Sequence, residues 1–282
     1  MDVMGWPARC GIGTGNTVLL MADLTRMAWR ARRAGSRLGA ELLLDAFLGA
    51  VGPAGTLLVP TYNFDLRSGE PYDPGHTPPI TGALGVAALA HPAFKRTPHP
   101  LHSFAVAGGG AQAFLEASDP SSFGPASAFA LLRRNKALQV ILDLPLNDAL
   151  TYVHHVEELE RVPYRRWRTV HLRVTGAADG PESRAYRQFA KKPGHSNRLH
   201  TLEPALVSAG ALHTASLDGT EALIVDLAAA HEVIATDIRT NQARRIHAFS
   251  RERWLRDILK PLLGREPSRS ARMLENHAAR QA

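Results

Sequence analysis

LQVILDLPLNDALTYVHHVEELERVP, residues 138–163, joins two patterns in one run. Its first part, LQVILDL (138–144), is an apolar run of strand length without polar alternation, which is how a strand covered on both faces reads. Its second part, 148–162, has helical periodicity; Asn147 or Asp148 can cap its start, and Pro163 forbids continuation. A helix beginning near the carboxyl end of a buried strand is the building unit of open α/β sheets, and lies where such sheets place their sites.

The same two patterns recur outward from this run. TVLLMA (17–22), GTLLVPTY (55–62), HSFAVAG (102–108) and EALIVDL (221–227) read as further strands, and 37–51, 82–91 and 110–117 as helices. The expected fold is α/β, with helices on both sides of a largely buried sheet. The Pro- and Gly-rich stretch 63–81 is a long loop of the kind that is disordered or functional. The polar stretch 175–203 reads as an excursion of the same domain, and no internal repeat is present.

With 282 residues and 45% hydrophobic content, the chain can bury a substantial core as one large domain or two small ones. The net charge of +7 is confined to the tail, where residues 239–282 hold eleven Arg and Lys against four Asp and Glu. A basic amphipathic run such as SRERWLRDILKPLL (250–263) covers its own protein or a partner subunit more readily than it grips nucleic acid. No zinc-finger or RNA-binding motif accompanies it. The expected division is a catalytic domain over 1–238 and a basic helical extension over 239–282, packed on the domain or on a partner; a second copy, forming a homodimer, is a candidate for that partner. The start has no basic segment feeding an apolar run, and no stretch approaches the ~18 apolar residues that span a bilayer, so no membrane partner and a cytoplasmic location are expected. Cys10, the single cysteine, has no base nearby in sequence to make it a nucleophile. The thirteen histidines form no His-Glu-x-x-His spacing, so metal-dependent hydrolysis is not supported and no metal is expected.

On the helix, His154 and Glu157 are three apart, as are His155 and Glu158, and either pair can meet on one face. Tyr152, Val153, Val156 and Leu159 define the buried stripe, and the two histidines lie on its opposite edges. A carboxylate that fixes the tautomer of a histidine makes it a good general base, whereas a solvated polar face explains the same spacing without chemistry. Periodicity does not choose between the pairs.

PLNDALTYVHHVEELERVPYR (145–165) resembles the signature of the aminoglycoside 3-N-acetyltransferase family, in which a strand and a Pro-Leu turn lead into Thr-x-x-His-x-x-Glu. GPAGTLLVPTY (52–62), YDPGHTPPITGALG (72–85), KRTPHPLHSFAVAG (95–108) and SSFGPASAF (121–129) agree in order, with a looser similarity over 202–227. The resemblance implies a three-layer α/β/α domain with a central mixed sheet, unrelated to the commoner acetyltransferase fold with its Gly-rich pyrophosphate loop. It also implies acetyl-CoA as donor and an amine as acceptor, and it places the family's histidine on His154 and its glutamate on Glu157.

Under that resemblance His154 is the general base, Glu157 its orienting partner, and the acceptor attacks the thioester directly. Contacts to CoA are expected from Asp23 and Leu24, from Arg30 and Arg33 in TRMAWRARRAGSR (25–37), and from Thr61, Arg96 and Ser103. The chain departs from the family at Met21 to Leu24, where a His-Ser-Ser-Leu-like turn is usual; Asp23 puts a negative charge near a polyanionic cofactor. The turn before the signature helix is one residue longer, at Asn147. Acceptor contacts are expected from Asp65, Asp73, His99, His102, Asp119, Phe123 and Asp148. The few acids beside a neutral core also favour a smaller or anionic amine, such as a nucleotide-linked amino sugar. A metabolite-binding relative without catalysis is a further reading of the altered turn.

Overall fold

The computed structural model describes residues 1–175, 182–259 and 267–281. Among the described residues twelve strands run in chain order: β1 (Thr17–Ala22), β2 (Thr56–Pro60), β3 (Pro71–Tyr72), β4 (Lys95–Arg96), β5 (Phe104–Gly108), β6 (Leu138–Leu142), β7 (Arg165–Val174), β8 (Glu182–Lys191), β9 (His195–Asn197), β10 (Leu212–Leu217), β11 (Thr220–Asp226) and β12 (His247–Phe249). Seven of them form the central sheet in the order β10-β11-β6-β1-β2-β5-β4. β1 is parallel to β2 and β6, while β5, β11, β10 and β4 join antiparallel, so the sheet is mixed as expected.

Alternation of side chains assigns the layers. Leu19, Leu58, Val106 and Ile141 point into one core with the helices Ala128–Arg134, Val153–Leu159 and Leu227–Asn241. Their neighbours Leu20, Leu57, Ala105 and Val140 point into a second core with Leu24–Arg33, Ala40–Val51 and Ala83–Ala90. Each fully buried Leu, Ile or Val contributes about 1.5–3 kcal/mol, which holds a sheet between two helical layers.

The helix expected over 148–162 is two pieces, Leu146–Ala149 and Val153–Leu159. The Nε2 of Gln139, on β6, donates to the Ala149 carbonyl at 2.9 Å, and the Thr151 amide reaches the same oxygen at 2.7 Å. That carbonyl would otherwise serve Val153, so the ladder breaks and restarts on a new axis. Neither Asn147 nor Asp148 caps: Pro145 is the N-cap, and Asn147 Oδ1 accepts from the Leu199 amide at 3.1 Å. Tyr152, Val153 and Val156 are buried as the stripe requires, but Leu159 is 38% exposed because the helix ends there.

The loop 63–81 is ordered. Its β3 pairs with β7, and Leu66 and Tyr72 enter a third small core with Val170, Leu172 and Val174. β7 and β8 form a ten-residue antiparallel pair, of which β8 lies in the stretch 175–203 read as a polar excursion; residues 176–181 of that excursion lie outside the described ones. In the tail, the helix Arg251–Leu259 buries no residue, the helix Arg269–Gln281 packs near β3, and residues 260–263 of the SRERWLRDILKPLL run lie outside the described ones. No helix among the described residues is long and apolar enough to cross a membrane.

Candidate active site

The break at Leu150 to Tyr152 sets the second helix against β7 and decides what its histidines meet. His154 Nδ1 lies 2.6 Å from Glu157 Oε2. The other carboxylate oxygen, Oε1, accepts from the Tyr164 hydroxyl at 2.8 Å. Arg165, the first residue of β7, places Nε 2.7 Å from Glu157 Oε2 and donates from Nη1 to the Phe189 carbonyl at 2.8 Å. The side chains of Glu157 and Arg165 are 1% and 4% exposed, while that of His154 keeps 16%. The histidine is therefore the member of the cluster that solvent or a ligand can reach. Nδ1 thus faces an acceptor, the carboxylate, and a donor, the Arg165 guanidinium; in the tautomer whose Nδ1–H donates to Glu157, Nε2 carries the lone pair, as a general base needs. Arg165 Nη2 is 2.6 Å from the same Nδ1, so the guanidinium crowds a charged imidazole.

His155 takes no part. It is 1% exposed, and its Nδ1 lies 2.6 Å from the Phe123 carbonyl oxygen. Glu158 is bonded instead by the Ser121 hydroxyl at 2.7 Å, and burial lifts its carboxyl to about 7. The second His-x-x-Glu pair never forms.

Burial and then the Arg165 cation lower the His154 pKa to about 4, against the pull of Glu157. Burial alone would raise Glu157, but Arg165 and His154 bring it down to about 2. The pair is thus a neutral imidazole beside a carboxylate throughout the neutral range. An unfolded histidine takes a proton near 6.5 and the folded His154 only near 4, so the unfolded state binds more protons between those values. Stability therefore falls as pH drops from 6.5 to 4, by up to about 3 kcal/mol; Glu157 acts in the same direction below its unfolded value of about 4.3. Urea unfolding at pH 7 and pH 4.5 should show a smaller acid loss for His154→Gln than for the wild type. Equal losses would mean that His154 exchanges protons as freely as an exposed histidine.

Other expected positions are distributed around this cluster. Phe123 meets the His154 ring edge-on at 5.4 Å, and His102 packs on Phe123 at 4.6 Å, with Nδ1 2.9 Å from Ser122 Oγ. Thr61, Arg96 and Ser103 are brought together, but in an internal network. Arg96 Nε donates to Ser103 Oγ at 3.0 Å, and its Nη atoms reach the carbonyls of Thr77 (2.6 Å) and Thr61 (2.8 Å) and the Asn63 side chain (2.6 Å). Asp23 caps the helix Leu24–Arg33, accepting from the amides of Thr25 (3.0 Å) and Arg26 (3.3 Å). Its charge is answered by the helix N-terminus, a physical reason for an acid at this turn. Arg30 is ion-paired with Asp143, while Arg33 lies over the exposed Trp29 ring at 4.7 Å.

Asp73 holds its own turn, bonding the amides of Gly75 (2.8 Å) and His76 (3.0 Å). Asp119 does the same for Ser121 (2.8 Å) and Ala126 (2.9 Å). His99 lies 5.2 Å from the Tyr186 ring, and burial depresses it to about 4. Asp148 is exposed in the short first helix. Asp65 is bonded by Ser270 from the tail. Cys10 is buried, which pushes its thiol up to about 11.

Sequence reasoning did not single out Tyr164 and Arg165, although both close the quoted PLNDALTYVHHVEELERVPYR run. Nor did it find Lys191, opposite Arg165 on β8, whose ammonium burial and Arg165 lower to about 8.

A mixed sheet lies between two layers of helices, and an imidazole is held by a buried carboxylate beyond the carboxyl end of β6, which defines the class as α/β/α. Residues 23–238 match the family model described as aminoglycoside 3-N-acetyltransferase, and the chain belongs to that family. Two relatives carry related names. Aminoglycoside N(3)-acetyltransferase IV of Salmonella sp is 38% identical over 127 residues, covering 43% of this chain and 46% of that protein, so the chain spans about half its length. Aminoglycoside N(3)-acetyltransferase IX of Micromonospora chalcea is 32% identical over 205 residues, 64% of this chain and 68% of that protein. The structure described as AAC-IIIb binary with CoASH superposes with a TM-score of 0.73 at 20% identity, covering 85% of this chain and 96% of that one; at that identity the likeness concerns the fold.

Proposed function

We propose that this chain transfers an acetyl group from acetyl-CoA to an amine of an aminoglycoside or amino-sugar-like acceptor, with His154 as general base and Glu157 as its orienting partner. One observation supports the reading: the Glu157 carboxylate lies 2.6 Å from Nδ1 of His154, where accepting Nδ1–H leaves Nε2 as the basic nitrogen on the partly exposed member of the cluster. The acceptor enters as the free amine. As its nitrogen bonds to the thioester carbonyl carbon, the nitrogen's proton passes to Nε2, the oxyanion collapses, the C–S bond breaks, and CoA leaves as thiolate to be protonated. The imidazolium exists only transiently; Glu157 stabilises it while Arg165 makes its proton easy to release.

For CoA, Arg33 at the surface is the residue of the expected set whose guanidinium is not engaged by an acid or a carbonyl, with Asp23 and Leu24 at the turn beside it. Arg30 is held by Asp143, and Arg96, Thr61 and Ser103 bond one another in the internal network described above. Acetyl-CoA at 100 times its Kd should raise stability by about 2.7 kcal/mol, read as a thermal shift. A thiol-release assay over a panel of aminoglycosides and simpler amino sugars then identifies the acceptor. No shift with acetyl-CoA, or no thiol release with any amine, defeats the proposal.

A second reading, a smaller or less cationic amine, is favoured by one observation: Asp65 and Glu70, two of the acids in the loop 63–81, are already bonded by the tail.

A further inference from the structure

We propose that Ser268 to Ala271 of the C-terminal segment select the acceptor, by occupying the carboxylates of Asp65 and Glu70 and so disfavouring polycations relative to amines of low charge. This rests on the function just proposed, with Asp65 as an acceptor contact. Ser270 is fully buried; its hydroxyl donates to Asp65 Oδ1 and its amide to Asp65 Oδ2 at 3.2 Å. Both oxygens of that carboxylate are met by one residue. The Ser268 amide donates to Glu70 Oε1 at 2.7 Å, and Ser268 Oγ accepts from the Ala271 amide at 3.0 Å, which starts the final helix.

The contact is wired to the body of the protein. Asn63 Nδ2 donates to Ser270 Oγ at 2.9 Å, while Asn63 Oδ1 accepts from Arg96 Nη2 at 2.6 Å. A chain of ring contacts links it to His154: Phe64, beside Asp65, is 47% exposed and stacks on His102 at 6.0 Å, and His102 packs on the Phe123 that meets His154.

An ammonium group of a polycation binds a carboxylate by N–H donation and charge. At Asp65 each oxygen already accepts from Ser270, one from the O–H and one from the N–H, and the exposed, cationic Arg269 adjoins Ser270 in sequence. A polycation competes for that carboxylate with a tethered partner, whose high effective concentration weakens the competitor. An amine with a single positive charge, held at the reacting nitrogen, has no need of Asp65.

The test uses the full chain with Ser270→Asp, which sets a carboxylate against Asp65, and Ser270→Ala, which removes only the hydroxyl donor. Binding of gentamicin and of glucosamine to the CoA-bound protein is measured by calorimetry, alongside KM where turnover occurs. Gentamicin affinity is expected to rise about tenfold in Ser270→Asp and less in Ser270→Ala, with glucosamine unchanged. Unaltered gentamicin affinity in both variants, or an equal change for both amines, overturns the proposal. If Ser270→Asp does not fold, Ser270→Ala decides alone. Calorimetry separates this proposal from the catalytic one, because binding is read even where no acetyl group moves.

Discussion

Under the proposed function, replacing His154 by alanine is expected to lower kcat for acetyl transfer about 10³-fold while leaving the thermal shift with acetyl-CoA intact. The magnitude follows from what a positioned base contributes, roughly 10²–10⁴-fold, and from the rigidity with which this one is positioned. Glu157 is fixed on three sides independently of the histidine, by Tyr164, by Arg165 and by its own helix, so the cavity left at 154 does not loosen the carboxylate. The acceptor amine must then lose its proton to water, and the loss appears in kcat rather than in CoA affinity. Stopped-time thiol release with saturating acetyl-CoA measures it. Turnover within a few-fold of wild type would remove His154 from the chemistry. A Glu157→Gln variant keeps the shape but not the charge, and a smaller kcat loss is expected because it reorients the base rather than deleting it.

Arg165→Met destabilises the fold by about 3–5 kcal/mol, the cost of leaving a buried carboxylate without its counter-ion. Arg165 and Glu157 are both almost fully buried, and Arg165 also bonds the Phe189 carbonyl on β8, so one guanidinium joins the helix Val153–Leu159 to the β7–β8 pair. Removing the cation raises the Glu157 carboxyl and also the His154 imidazole, because Arg165 is a leading electrostatic influence on both. Urea denaturation of Arg165→Met, Glu157→Gln and the double variant forms a cycle. The double variant should be more stable than the sum of the single losses predicts, because the uncompensated charge is gone. Strict additivity would show that the two groups do not interact energetically.

Much of the fold was legible because it is written in local periodicity. TVLLMA coincides with β1, the runs at 55–62, 102–108 and 138–144 contain β2, β5 and β6, and the run at 221–227 overlaps β11, which starts one residue earlier. The helices expected over 37–51, 82–91 and 110–117 contain Ala40–Val51, Ala83–Ala90 and Ala111–Leu115. Less legible was β7, whose buried Val170, Leu172 and Val174 alternate regularly but are embedded among arginines. Its partner β8 buries one side chain of ten, Phe189, and has almost no apolar pattern to read. The helix Leu24–Arg33 was hidden by its charge, since Met27 and Ala31 are its buried residues.

The site divides in the same way. The sequence by itself determined that a buried strand leads into a helix closed before Pro163, and that two histidines each stand three residues from a glutamate, because spacing and termination are properties of neighbouring residues. Only the tertiary structure decided which pair forms. Phe123, 32 positions from His155, removes that histidine with its carbonyl, and Ser121 removes Glu158, while Tyr164 and Arg165 fold back to fix Glu157 beside His154. Likewise Arg96 looks like a phosphate ligand until the chain turns five acceptors toward it, and Asp65 looks open until Ser270, 205 positions away, reaches it. A hydrogen bond is satisfied by whatever group the packed chain delivers within about 3 Å, and for buried polar side chains that group is set by topology rather than by sequence proximity.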